Sequence, residues 1–109
     1  NESVFRQTVA TLLEQSFGAH VETRRITGEQ FDCIIHDAQH ILVEITASAG
    51  KDIQQRLERK RELNTKETGV SPARVILVTA SIHSQRAQAL REAGFEVIEP
   101  EEEEEVAEG

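Results

Sequence analysis

The stretch that decides the fold is residues 31–48, FDCIIHDAQHILVEITAS. It reads as two strands joined by a turn at Asp37–Ala38–Gln39, with Asp32 inside the first strand and Glu44 inside the second. In the second strand Ile41, Val43, Ile45 and Ala47 alternate with Leu42, Glu44, Thr46 and Ser48. Strand side chains alternate in direction, so Glu44, Thr46 and Ser48 share one face. A carboxylate between Val43 and Ile45 is costly to bury unless it is paired, protonated or bound to a metal. Glu44 is therefore the first candidate for chemistry.

Outward from this hairpin, the N-terminal segment from Glu2 to Phe17 carries Val4, Phe5, Val9, Leu12, Leu13 and Phe17 at the spacing of an amphipathic helix, stopped by Gly18. His20 to Thr27 reads as a strand leading into the pair. On the other side, Ala49–Gly50 breaks the sheet, and Lys51 to Thr68 is a polar helix ended by Gly69 with Pro72 beyond. Ala73 to Ala80, ARVILVTA, is a continuous apolar run, as expected of a strand covered on both faces. N-cap candidates at Ser81 to Ser84 open an Ala-rich helix over 85–93, and Phe95 to Ile98 forms a last short strand. A meander followed by a crossover helix predicts an α/β fold whose mixed sheet is flanked by helices.

With 109 residues the chain makes one domain. The formal net charge of −8 is concentrated at the end: every Lys and Arg precedes Glu99, whereas Glu99, Glu101 to Glu105 and Glu108 all follow Ile98. Residues 1–98 are thus nearly neutral; the domain is expected to span residues 1–99, and residues 100–109 to be an acidic disordered tail. An acidic total normally argues against nucleic acid as partner, but here that argument reaches only the tail. No apolar run is long enough to span a membrane. The single Cys33 excludes an internal disulfide, fits a cytoplasmic setting and reads as a buried thiol. The chain opens on Asn1 rather than Met, as a processed or excised piece does.

The helix over 51–68 is unusual. At about 100° per residue, Ile53, Leu57 and Leu63 define its inward arc, and Lys60 falls in the middle of it. Arg56 and Asn64 lie in the same row. A helix packed on a sheet ordinarily aims no lysine at it, and the plain explanation is that the aliphatic stem packs while the ammonium escapes at the sheet edge. Arg59, Arg61 and Lys66 read as a solvated outer face. Among weaker candidates, Glu14 lies off the apolar stripe of its helix, His36 shares a strand face with Asp32, and His40 falls in the turn. No zinc-like spacing joins His20, His36, His40 and His83.

Asp32, then Glu44-Ile45-Thr46 on an apolar strand, then a long helix and a buried ILVT strand, resembles the PD-(D/E)XK nuclease superfamily. The similarity extends over residues 2–98, and within that superfamily it is greatest to prokaryotic nuclease-like domains that follow a coiled coil. It implies an αβββαβ restriction-endonuclease-like core, here with a further helix and short strand. It also implies Asp32, Glu44 and the main-chain carbonyl of Ile45 as ligands of Mg²⁺ or Mn²⁺, with DNA as substrate. Hard divalent cations take oxygen ligands of this kind. The motif lysine is replaced by Thr46, so the resemblance leaves two readings. In one, Lys60, or secondarily Lys51, supplies the missing cation to a metal-dependent DNA phosphodiesterase. Asp32, Glu44 and Lys60 are then catalytic, and Arg56, Thr46 and Ser48 contact substrate, with Arg24 and Arg25 on the backbone. In the other, the domain is an inactive nuclease-fold module for DNA binding or dimerisation. A sheet edge or an upstream coiled coil gives either one a route to a homodimer.

Overall fold

A computed structural model of the protein describes the backbone of residues 2–17, 20–26, 29–36 and 40–99, and the side chains of residues 3–15 and 40–99. The expectations for the turn at 37–39 and for the tail at 100–109 lie outside the described residues. The order is α1 (Glu2–Phe17), β1 (His20–Ile26), β2 (Glu29–His36), β3 (His40–Ala49), α2 (Ile53–Thr68), β4 (Arg74–Ile82), α3 (Ser84–Glu92) and β5 (Glu96–Ile98). The strands form one five-stranded sheet in the order β1-β2-β3-β4-β5. β1, β2 and β3 pair antiparallel; β3–β4 and β4–β5 are parallel. This is the mixed α/β architecture expected from the sequence, because parallel neighbours require crossovers and α2 and α3 provide them.

Six consecutive residues of β3, Ile41 to Thr46, are buried, since both faces of this central strand are covered. On one face Ile41, Val43 and Ile45 pack with Ile76 and Val78 beneath Val9 and Leu13 of α1. On the other, Leu42 joins Val75, Leu77, Ile53, Leu57, Ala87, Leu90 and Phe95 under α2 and α3. Glu44 and Thr46 alternate with Ile45 and so take this second face.

Local chemistry fixes the ends. Gly69 closes α2 in the left-handed conformation, φ 76°, and its N–H donates to the Thr65 carbonyl at 2.7 Å. His83, rather than a serine, caps α3: its Nδ1 accepts from the Gln85 N–H at 3.2 Å. Three sequence expectations are corrected. Val4 and Leu12 are exposed, because α1 turns only Phe5, Val9, Ala10 and Leu13 of its apolar residues between 3 and 15 towards the sheet. Arg61 is half-buried, its guanidinium 4.9 Å above the Phe95 ring. His40 is not in the turn but opens β3, opposite His36.

At the sheet's end Arg74 donates to both carboxylate oxygens of Glu96, at 2.8 and 2.7 Å, tying β5 to β4. The hydrogen bond from Arg74 holds the Glu96 carboxyl below its ordinary range. Its stabilising contribution is thus complete above the unfolded carboxylate pKa and is lost as pH falls through the lower folded value. Glu96→Gln should flatten that part of the acid limb of stability against pH, as measured by urea unfolding. In the core, Leu57→Ala should destabilise by about 2–5 kcal/mol by leaving a cavity beneath α2.

Candidate functional site

The buried stripe of α2 is apolar at its start, Ile53 and Leu57, and polar further on, Lys60 and Asn64. These positions recur at helical spacing, so one face of the helix carries all four. The polar half meets polar residues of β3. Lys60 Nζ donates to Glu44 Oε1 at 2.8 Å, and with exposures of 7% and 5% neither residue reaches water appreciably. Arg56, one turn earlier, brings Nε to 3.8 Å from Glu44 Oε2. At the other end of the row, Asn64 Oδ1 lies 2.6 Å from His40 Nε2.

Lys60 is therefore not a snorkelling side chain with its ammonium in water. It is a buried partner of the motif carboxylate. Moving two charges out of water costs several kcal/mol per ion, which close geometry must offset. Arg56 adds a second positive charge beside the same carboxylate. Among the described residues its Nε meets no hydrogen-bond partner, while the side chain retains 30% exposure, so the guanidinium spans from the carboxylate to the surface.

Thr46 stands where the resemblance places a lysine. It is buried, and its Oγ1 donates to the Ser48 carbonyl at 3.1 Å. Thr79, its register partner on β4, makes the same bond to the Ser81 carbonyl, also at 3.1 Å. The two Thr-Ala-Ser segments thus finish adjacent parallel strands in the same way. Thr46 has a local structural use that requires no charge. Ser48 is exposed at the strand end, and Lys51 and Glu14 are exposed as well.

The remaining motif positions are placed by backbone. β2 pairs with β3 through His36–His40, Ile35–Ile41, Ile34–Leu42 and Cys33–Val43. Asp32 and Glu44 are the next residues along their strands beyond the last of these pairs. The side chains of Asp32, Cys33 and His36, and those of Arg24 and Arg25, are outside the described residues.

A residue missed in the sequence joins from the opposite face. Arg6 of α1 donates from Nε to the main-chain carbonyl of Ile45 at 3.4 Å. Its signal was the one that marked Lys60: Arg6 sits in the inward arc formed by Phe5, Val9, Ala10 and Leu13. Two oxygens, a Glu44 carboxylate and the next residue's carbonyl, are thus attended by cations from both sides of the sheet. Oxygen donors of this hardness suit Mg²⁺, Mn²⁺ or Ca²⁺ rather than a thiophilic metal. Among the described residues no group of three His, Cys, Asp or Glu side chains gathers around a metal position.

Lys60→Met should destabilise the domain by about 3 kcal/mol, because it strips a buried carboxylate of a hydrogen-bonded partner at 2.8 Å. Glu44→Gln combined with Lys60→Met should recover most of that loss. Chemical unfolding of the two single variants and the double variant measures the coupling directly.

Among curated proteins, none matches the sequence significantly. Among solved structures, a repair endonuclease from Pyrococcus abyssi superposes with a TM-score of 0.67 at 16% identity. The match covers 93% of this chain and 47% of that one, so the chain spans about half the neighbour's length. At that identity the likeness establishes the fold. Among the described residues, no helix is long and apolar enough to cross a membrane. The family model of the PD-(D/E)XK nuclease superfamily matches residues 29–95, which include the hairpin, the buried Glu44–Lys60 pair and the crossover to β4, and the chain belongs to that superfamily.

Proposed function

We propose that this domain is a divalent-cation-dependent phosphodiesterase acting on DNA, with Lys60 replacing the missing strand lysine. The observation that carries the reading is the 2.8 Å contact between Lys60 Nζ and Glu44 Oε1 in a buried setting. Asp32, Glu44 and the Ile45 carbonyl would hold Mg²⁺ or Mn²⁺. When bound, such a cation supplies the Lewis acidity that polarises a phosphoryl oxygen and acidifies water. Glu44 presents its carboxylate from a rigid central strand. Lys60 orients that carboxylate and holds a positive charge where negative charge develops on the phosphate. Arg56, reaching from Glu44 towards solvent, and Ser48, at the exposed strand end, would position the backbone without reading bases. Thr46, on the same strand face between Glu44 and Ser48, would flank the bound substrate.

The internal bond of Thr46 favours one competing reading, a nuclease-fold module that binds DNA but does not cleave it. Mn²⁺ titration combined with nicking of supercoiled and branched DNA separates the two. The enzyme reading expects wild-type protein to bind Mn²⁺ and cleave, and Glu44→Ala to lose both. It expects Lys60→Gln, which keeps a donor to Glu44 without the charge, to bind Mn²⁺ yet cleave about 10²–10³-fold more slowly. Metal binding without cleavage in wild type selects the module. A wild-type protein that binds no divalent cation overturns the hydrolytic mechanism.

A further inference from the structure

Resting on the DNA reading above, we infer that Arg86 and Lys51 form a further contact for the DNA backbone, beyond the carboxyl ends of β3 and β4. These two strands run parallel and finish together, with Ser48 opposite Ser81 and Ala49 opposite Ile82. Lys51 follows the end of β3, and Arg86 stands in the first turn of α3, close behind the end of β4. The guanidinium is held in place: Arg86 Nη1 donates to the main-chain carbonyl of Ala49 at 3.4 Å, so a side chain of α3 reaches the end of β3. Other N–H donors of the planar fork stay available for a phosphate.

Charge is disposed differently here from elsewhere in the domain. Arg56 and Lys60 neighbour Glu44, Arg74 pairs with Glu96, and Arg91 with Glu99. Among the described residues neither Arg86 nor Lys51 forms an ion pair. Lys51 is exposed and Arg86 half-buried, and the exposed Ser48 and Ser81 lie alongside them. Asp52, exposed next to Lys51, offsets part of the charge and leaves the patch positive. A positive patch with hydroxyls suits phosphate oxygens whatever the bases they join. Distance sets its role. Ala49 lies five positions after Glu44, which at about 3.3 Å per residue is ~16 Å along the strand. Arg86 is thus a positioning residue, out of reach of a phosphate held at Glu44.

The test follows binding of a duplex DNA to the full chain by fluorescence anisotropy over a range of KCl concentrations, with Ca²⁺ standing in for Mg²⁺. The variants are Arg86→Gln, Lys51→Gln and Arg86→Lys, with Lys66→Gln, an exposed cation near the far end of α2, as the control. Thermal unfolding monitors integrity, and the exposed Lys51 keeps the test decisive should Arg86→Gln fold poorly. Each neutral variant at the patch is expected to weaken binding several-fold and to lower the slope of log affinity against log salt by about one. A merely structural loss would weaken binding without moving that slope. Arg86→Lys and Lys66→Gln should keep the wild-type slope, and every variant should bind Mn²⁺ as wild type does. An unchanged slope in the folded neutral variants, or an equal loss in Lys66→Gln, overturns this inference alone. If wild-type protein binds no DNA, the DNA reading fails and this inference fails with it.

Discussion

A carboxylate in the middle of an apolar strand is the constraint around which this domain is built. Glu44 sits between Val43 and Ile45 on a strand covered from both sides, where an isolated negative charge would be strongly disfavoured. The fold answers with an ammonium on the covering helix at hydrogen-bond distance and a guanidinium one turn away. Much of α2 follows from that need. Its inward stripe is apolar where it meets Val75 and Leu77, and basic where it meets Glu44. A helix that were apolar along its whole inner face would pack as well on β4 but would leave the carboxylate without a partner.

The same strand is served from below. The alternation that aims Glu44 at α2 aims Ile45 at α1, so two successive residues are presented to opposite layers. Lys60 meets the side chain of one, and Arg6 meets the carbonyl of the other. The sheet alone thus brings the oxygen donors together, while the two helices decide the electrostatic field around them. That division lets the strand motif remain short while the cations come from elements distant in sequence, 16 residues away for Lys60 and 39 for Arg6.

This explains what the sequence disclosed and what it withheld. Strand alternation isolated Glu44, and helical periodicity isolated Lys60, because each violates a local pattern of burial that a single element defines. Element order gave the mixed sheet for a similar reason: period, length and Gly stops are local. His40 looked like a turn residue because short polar connections have no sharp edge in sequence, and its partner Asn64 lies in another element. Arg61 looked solvated because its partner, the Phe95 ring, is 34 positions away and belongs to the β5 approach. Val4 and Leu12 looked like core because apolar residues are admitted by both the inner and outer flanks of a short helical stripe. Arg6 violated its helix pattern as plainly as Lys60 did, but a single arginine near a helix start carries no hint of a carbonyl acceptor until the sheet is assembled.

Thr46 shows what a neutral residue does on the same strand face as Glu44. A lysine at that position would share a strand face with Glu44 and would be held by the sheet itself. A lysine on α2 is held by the packing of Ile53 and Leu57, so the geometry of the charged pair becomes tied to the stability of the helix–sheet interface. With Glu44 partnered from α2, the Thr46 position serves a different use. Thr46 and Thr79, paired in register, turn their hydroxyls onto the carbonyls of Ser48 and Ser81 and finish the two parallel strands alike. Thr46 thus contributes an internal hydrogen bond at the end of the strand, while Lys60 keeps the buried carboxylate in partnership. In this chain the helix that covers this face of the sheet and the helix that partners Glu44 are one element, and neither role can be altered without disturbing the other.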